Sequence, residues 1–237
     1  PITYSIVTNV DKEHLDFYKN FNRLKDSFIN FIEKTPTFGK SFICLDDKNL
    51  KLLLSKLKTN NYLTYGFDKN SNYQITNVKK ERSSSIFDLR IKITKNKIYK
   101  IRNIKINLIG NHNITNTTAS IAIALNLGIN ERKIKSALKK FLGIQRRFTK
   151  VFSLGSIDFY DDYAHHPTEI KAVISGARQV YKKRKIICIF QPHRYSRVKS
   201  LKNDFALSFQ LCDEVVLCPV FSAGENITHN FKQSNFS

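Results

Sequence analysis

Two acids, two imidazoles and a third acid fall within Asp161-Asp162-Tyr163-Ala164-His165-His166-Pro167-Thr168-Glu169. Carboxylates and imidazoles so concentrated can move protons, hold a cation or grip hydroxyl and amino groups of a ligand. A second cluster, Gln191-Pro192-His193-Arg194-Tyr195-Ser196-Arg197, adds an imidazole and two guanidinium groups, whose fork geometry suits carboxylate or phosphate oxygens. A third, Gly110-Asn111-His112-Asn113-Ile114-Thr115-Asn116, sets Asn113 and Asn116 three apart. On a helix they share one face, where two carboxamides can read a base edge or position phosphate oxygens. Taken alone, each cluster also has a plainer reading. His165 and His166 can simply cap a helix, Arg194 and Arg197 can be a solvated face, and asparagines often cap helices.

The elements that must position these residues follow from periodicity. The apolar run Ile157 to Tyr160 precedes the first cluster, and Ile170, Val173, Ile174, Ala177 and Val180 follow it at helical spacing, with Pro167 suited to the first turn. Lys185 to Phe190 predicts a strand before the second cluster, and Lys199 to Leu211 a helix after it. A third strand, Glu214 to Val220, leads into Phe221-Ser222-Ala223-Gly224-Glu225. Three strand–helix units in a row predict a parallel sheet whose loops lie along one edge, where α/β proteins bind ligands.

Upstream, a strand over Ile2 to Val10, a helix over Asn20 to Glu33, a strand over Ser41 to Leu45, a helix over Asp47 to Lys58 and a strand over Tyr62 to Phe67 are expected. Residues 72–108 alternate polar and apolar as three antiparallel strands would. Helices follow over Asn113 to Leu127, closed by Gly128, and Glu131 to Phe141; Gly143 to Arg147 reads as a hinge, and the parallel unit begins near Val151. The reading is an α/β chain with one domain over residues 1–144 and a second, parallel-sheet domain over 145–237.

Lys and Arg number 40 against 19 acids, a net +21, which favours polyanionic partners. The charge is dispersed, and its densest runs, Lys182 to Lys185 and Arg132 to Lys140, are short. A basic nucleic-acid-binding module would need clustered charge and exposed stacking aromatics, whereas the aromatics here mostly occupy apolar periodic positions. Cys44, Cys188, Cys212 and Cys218 make no CxxC spacing and read as buried reduced thiols of a cytoplasmic protein. No apolar stretch reaches the length of a membrane span. The Asn113-Ile114-Thr115 and Asn226-Ile227-Thr228 triplets fit a glycosylation pattern without a secretory signal. Gly39-Lys40-Ser41 imitates the end of a phosphate loop, but position 34, where the first glycine belongs, is Lys34, and Pro36 removes a needed backbone donor. A metal-dependent hydrolase built on Asp161, Asp162, His165 and His166 is disfavoured, because adjacent acids and adjacent histidines reach one ion only with awkward geometry.

Taken in order, Thr8-Asn9-Val10 with His14-Leu15-Asp16, Gly110 with His112-Asn113 and Asn116, Gly143-Ile144-Gln145-Arg146-Arg147-Phe148, the DDYAHHPTE and FQPHRYSR segments and Ala223-Gly224-Glu225 resemble the Mur ligase family over nearly the whole chain. The resemblance implies the back of a central ATPase-type domain followed by a Rossmann-like ligase domain. It also implies the branch that joins L-alanine to UDP-N-acetylmuramate through an acyl phosphate, using ATP and Mg²⁺, in the cytoplasmic synthesis of peptidoglycan precursor. In that light His14 corresponds to a magnesium ligand, Asn113 and Asn116 to nucleotide contacts, Arg147 to a hinge arginine reaching the ATP phosphates, and Asp162 to an acid that meets the nucleotide. His165, His166, His193, Arg194 and Arg197 correspond to the substrate-facing edge of the last domain. Neither nucleic acid nor membrane insertion belongs to this reading. The sugar-binding domain and phosphate loop of the family are expected before Pro1, and the rest of the last domain beyond Ser237. The chain is expected to be a fragment of something longer, without ligase activity by itself; a decayed or repurposed remnant is the alternative.

Overall fold

The structure is a computed structural model that describes residues 2–225, apart from Arg82, Lys95 and the side chain of Asp16. The Asn226 triplet and the polar stretch from Asn230 to Ser237 lie outside the described residues. Among the described residues two compact units are present: residues 2–108 with His112–Phe141, and Ile109–Asn111 with residues 142–225. The chain is α/β, as the sequence patterns required.

The first unit is built on one six-stranded sheet whose strands lie side by side in chain order: β1 (Tyr4–Val7), β2 (Lys40–Cys44), β3 (Tyr62–Gly66), β4 (Tyr73–Lys80), β5 (Ser85–Lys92) and β6 (Ile98–Ile106). The β1 to β4 pairings are parallel, and those of β5 with β4 and β6 are antiparallel. The parallel part needs crossovers, supplied after β1 by α1 (Leu15–Tyr18) and α2 (Phe21–Glu33), and after β2 by α3 (Lys48–Leu53) with a 3₁₀ turn over Leu54–Lys56. Asn20 caps α2 by accepting from the Arg23 N–H, and Asp47 caps α3 through Leu50 N–H. Strand β1 is shorter than Ile2 to Val10, and α3 ends before Lys58 because the chain tightens into the 3₁₀ turn and turns extended at Leu57.

β5 reads buried and half-exposed in strict alternation, placing Phe87, Leu89 and Ile91 inside and Asp88, Arg90 and Lys92 outside. Both neighbours of β5 carry an irregularity, with Asn77 and Asn103 in left-handed backbone at φ 51° and 54°. The core gathers Phe42, Ile43, Tyr65, Phe87, Leu89 and Ile104 against Ile114, Ile121 and Ala122 of α4 (Asn111–Asn126). Gly128, at φ 77°, ends that helix, and α5 (Glu131–Lys140) follows.

The phosphate-loop imitation turns out to be sheet. Lys40 and Ser41 open β2, the Ser41 hydroxyl sits buried and accepts from Ser5 Oγ at 2.8 Å, and a Cβ on Gly39 would stand 1.8 Å from the Thr3 carbonyl oxygen. The glycine is there for the close approach of two backbones.

In the second unit, β7 (Thr149–Leu154) and β8 (Ile157–Asp161) form an antiparallel hairpin. The apolar pattern predicts the Ile157 strand in one parallel sheet with the two later strands; it pairs with β7 instead. Gly155-Ser156 makes a two-residue turn with Gly155 at φ 56°, the local chemistry of a tight hairpin. β9 (Ile187–Phe190) and β10 (Glu214–Leu217) do pair in parallel, as expected. Helix α6 (Pro167–Val180) precedes β9, and α7 (Tyr195–Ser200) and α8 (Lys202–Ser208) lie between β9 and β10. One helix over Lys199 to Leu211 was expected; two short ones form, starting earlier and breaking at Leu201 (φ −120°), whose side chain is buried with Ile170, Ile174, Phe190 and Phe205. Burial of that leucine outweighs helical continuity. Of the cysteines, all free thiols, Cys44 is buried as expected, while Cys188, Cys212 and Cys218 are only partly buried.

Candidate functional site

In the second unit three loops meet. The loop after β8 begins with Asp162, whose carboxylate accepts from Phe148 N–H and Ala164 N–H, each at 2.7 Å. Burial pushes this carboxyl above its usual value; the two N–H donors and the Arg147 charge work against that without cancelling it. The bond to Phe148 ties Asp162 to a segment held in unusual backbone, with Arg146 and Phe148 at φ 59° and 51° on either side of Arg147. The same segment is clasped by Tyr163 N–H donating to Arg146 O at 2.9 Å, by the Arg146 guanidinium 4.7 Å over the Tyr163 ring, and by Phe148 stacked at 4.4 Å on Tyr160. Asp161, by contrast, makes only a loose, exposed pair with Arg146 at 3.7 Å.

His166 is the N-cap of α6. Its Nδ1 accepts from Thr168 N–H at 3.4 Å, and Glu169 reaches back to accept from the backbone N–H groups of His165 and His166, closing a capping box with Pro167 in the first turn. The plain capping reading therefore holds for His166, yet does not exhaust it: the ring is 6% exposed and its Nε2 is buried without a hydrogen-bond partner. Glu169 also faces Arg147 Nη1 at 3.5 Å and His165 Nδ1 at 3.6 Å. Burial would raise its carboxyl, but the backbone donors and the charges of His165 and Arg147 prevail and hold it below its usual range. Sequence reasoning gave Glu169 no role. The available signal was its position three residues after the cap, a capping-box spacing with His in place of Ser or Thr.

The loops after β9 and β10 are knit together. His193 pairs with Phe221 as an isolated parallel bridge, Arg194 N–H donates to Phe221 O, and Phe221 N–H to Pro192 O, both at 2.8 Å. Glu225 accepts from the Ser196 N–H at 3.1 Å and hydroxyl at 2.5 Å, fastening the start of α7. The His193 ring lies 5.1 Å from Phe221 and 6.0 Å from His165, joining this pair of loops to the first. Burial, then the charges of Arg197, His165 and Arg194, push the His193 imidazole below its ordinary value. Arg194 sits at φ 72°, and the Nη1 of Arg197 is buried with no hydrogen-bond partner. A buried guanidinium donor left unmatched is costly unless a ligand supplies the acceptor.

The structure thus brings Arg147, Asp162, His165, His166, His193 and Arg194 into one set of loops in the second unit, with Arg197 in the first turn of α7. His14, Asn113 and Asn116 lie in the first unit. His14 is an exposed loop residue at φ 54° preceding α1, and Asn113 and Asn116 stand in the first two turns of α4. Among the described residues no group of three His, Cys, Asp or Glu side chains could hold a metal ion. Nor is any helix among the described residues long and apolar enough to cross a membrane.

Residues 1–124 match the family model described as the Mur ligase middle domain, and residues 146–235 that described as the Mur ligase, glutamate ligase domain. The chain belongs to the Mur ligase family. A relative named UDP-N-acetylmuramate–L-alanine ligase, from Pelagibacter ubique (strain HTCC1062), is 56% identical over 237 residues, which cover 100% of this chain and 51% of that protein. The ligase of the same name from Agrobacterium fabrum is 40% identical over 227 residues, covering 95% of this chain and 48% of its own length. Among solved structures, the UDP-N-acetylmuramate-alanine ligase of Thermotoga maritima matches with a TM-score of 0.71 at 29% identity, over 94% of this chain and 47% of that one. The MurF ligase of Thermotoga maritima in complex with ADP shares the fold, with a TM-score of 0.71 at 16% identity over 92% of this chain and 48% of that one. The chain spans about half the length of the curated relatives it matches.

Proposed function

We propose that this chain is the segment over residues 1–144 of a central ATP-binding domain and 145–237 of a Rossmann-like ligase domain in a cytoplasmic, ATP-dependent enzyme that joins L-alanine to UDP-N-acetylmuramate. The observation that carries this is the 56% identity over the whole chain to a ligase of that name. The reaction makes an amide from a carboxylate, which must first be activated as an acyl phosphate. The amine of L-alanine then attacks the acyl carbon, and phosphate leaves with the bonding electron pair.

The roles follow from chemistry. Arg147, fixed by Glu169 and by its neighbours' bonds to Asp162 and Tyr163, offers a positioned charge for nucleotide phosphates as negative charge develops. Asp162 keeps that segment in place and corresponds to a nucleotide-contacting acid of the family. Asn113 and Asn116, in the first unit, correspond to nucleotide-contacting asparagines. Arg194, Arg197, His165, His166 and His193 face the substrates. The unmatched Nη1 of Arg197 and Nε2 of His166 support that assignment, since each lacks the partner a ligand would supply. His14 offers one imidazole toward Mg²⁺. That ion prefers a shell of oxygens, so the residues of this chain do not by themselves make its site.

The sequence holds no phosphate loop, and phosphoryl transfer depends on positioning and charge neutralisation. The 237-residue chain is therefore proposed to be inactive alone and to act within a longer polypeptide. The test is phosphate release dependent on ATP, L-alanine and UDP-N-acetylmuramate. A longer gene product containing this segment releases phosphate, and Arg147→Ala within it lowers kcat by at least about a hundredfold. Activity of the isolated 237 residues, or an Arg147→Ala enzyme with unchanged kcat, would overturn the reading.

A further inference from the structure

On β4, β5 and β6 of the first unit's sheet an open hollow of about 500 Å³ is lined by the polar residues Thr76, Asn77, Asp88, Arg90, Lys100 and Arg102, together with Leu89. Its charge is mostly positive, with Arg90, Lys100 and Arg102 against Asp88. Arg90 and Lys100 are direct partners across the antiparallel β5–β6 pair, an arrangement in which like charges repel and cost stability. Arg90 makes one long hydrogen bond, 3.5 Å to Gln74 Oε1. Among the described residues, none of Arg90, Lys100 and Arg102 is in an ion pair.

Asp88, the acid in the wall, sets one negative charge against three positive ones: burial works to raise its carboxyl, but the Asn77 and Asn103 donors and the charges of Arg102 and Lys135 prevail and hold it below its usual range. Its Oδ2 accepts from Asn77 Nδ2 at 2.8 Å and its Oδ1 from Asn103 N–H at 2.7 Å. Those two asparagines are the left-handed residues at the irregularities of β4 and β6. Two neighbouring strands are thus bent and their donors spent on Asp88, while three cationic side chains stand around the hollow.

We propose that this cavity is a binding site for a small polyanion carrying two or more phosphate groups, separate from the loops of the second unit. Its donors are the guanidinium groups of Arg90 and Arg102, the Lys100 ammonium and the Thr76 hydroxyl. Relief of the Arg90–Lys100 repulsion adds to the attraction.

The experiment titrates inorganic triphosphate into the ¹⁵N-labelled 237-residue chain at low salt, following backbone amide shifts and thermal unfolding. Three proteins are compared: wild type, Arg90→Gln/Arg102→Gln, and Lys182→Gln/Lys183→Gln, which removes the same charge from a basic run elsewhere. The expected result is saturable binding to wild type and to the lysine variant, with shifts centred on Asp88, Arg90, Lys100 and Arg102. In the arginine variant affinity falls at least about tenfold. Without anion, Arg90→Gln alone unfolds at a higher temperature than wild type, because the opposed charges are gone; a merely solvated face would give no such rise. Equal weakening in both double variants would assign binding to dispersed charge and overturn the proposal. So would the absence of saturable binding or shifts confined to the second unit. A melt of each variant reports its folding, and Arg102→Gln alone repeats the affinity test should the double variant fail to fold.

Discussion

Asp162→Ala tests how the candidate site is assembled. The carboxylate is the acceptor for two backbone donors, Phe148 N–H and Ala164 N–H, both at 2.7 Å. A hydrogen bond to a charged group contributes ~1.5–3 kcal/mol, and a donor left without an acceptor costs a similar amount. Asp162 is only partly buried, so water can reach some of what it vacates, and a discounted total of about 2 kcal/mol is expected. The loss is local, because Phe148 is held in left-handed backbone that the carboxylate helps to maintain. Hydrogen exchange on the 237-residue chain reads it directly: the Phe148 and Ala164 amides should exchange roughly 30-fold faster, the factor corresponding to ~2 kcal/mol.

Asp162→Asn should lie between wild type and the alanine variant. Its amide can accept at one oxygen but presents N–H to the second donor. It is also spared the burial that raises the Asp162 carboxyl, and that cost sits on the ionised form. In sign, a raised value means that this term favours folding below the carboxyl's ordinary value of 3.8 and turns against it as pH rises through the folded one. Asp161→Ala is the control. Its pair with Arg146 is 3.7 Å long with both partners exposed, so less than ~0.5 kcal/mol is expected. Unchanged exchange at Phe148 and Ala164 in Asp162→Ala, or equal losses in Asp161→Ala, would refute the anchoring argument.

Three further outcomes are expected. Gly39→Ala places a Cβ 1.8 Å from the Thr3 carbonyl oxygen, so β1 and β2 must separate. A loss of at least ~3 kcal/mol in urea unfolding is expected, and a midpoint like that of wild type would contradict the close approach. Glu169→Gln weakens the α6 capping box by about 1 kcal/mol at neutral pH. Because the Glu169 carboxyl is held below 4.5, its contribution is complete above that pH and is lost as pH falls through the depressed value. The variant should therefore show a flatter acid limb in stability against pH, and an unchanged limb would remove Glu169 from the box. His193 should titrate below 6.5 by NMR, and Arg197→Gln should raise that value, since burial and then the Arg197 charge depress it; no movement would separate the two side chains.

Much of the fold is local in origin and so was legible. The three antiparallel strands in residues 72–108 announce themselves by alternation, α2 by Asn20 and a periodic apolar face, and α6 by Pro167 and an i, i+3, i+4 pattern. The β7–β8 hairpin was missed although its signal, Gly155-Ser156 between two strands, is also local; a run of apolar residues does not say which edge it pairs with. The break between α7 and α8 carried no such signal, because burial of Leu201 against Phe205 and Ile170 decides it.

The residue types able to do chemistry, their order along the chain and their family were determined by sequence, since motif spacing is a covalent property. What those side chains face was left to tertiary structure. Only the folded chain spends Asp162 on the backbone of Phe148, and only there does Glu169 hold both a helix end and Arg147. Gly39-Lys40-Ser41 becomes a strand against Thr3, and Arg90 comes to stand opposite Lys100. Those are contacts between residues distant in the chain, set by packing and strand register, and no reading of neighbours in sequence contains them.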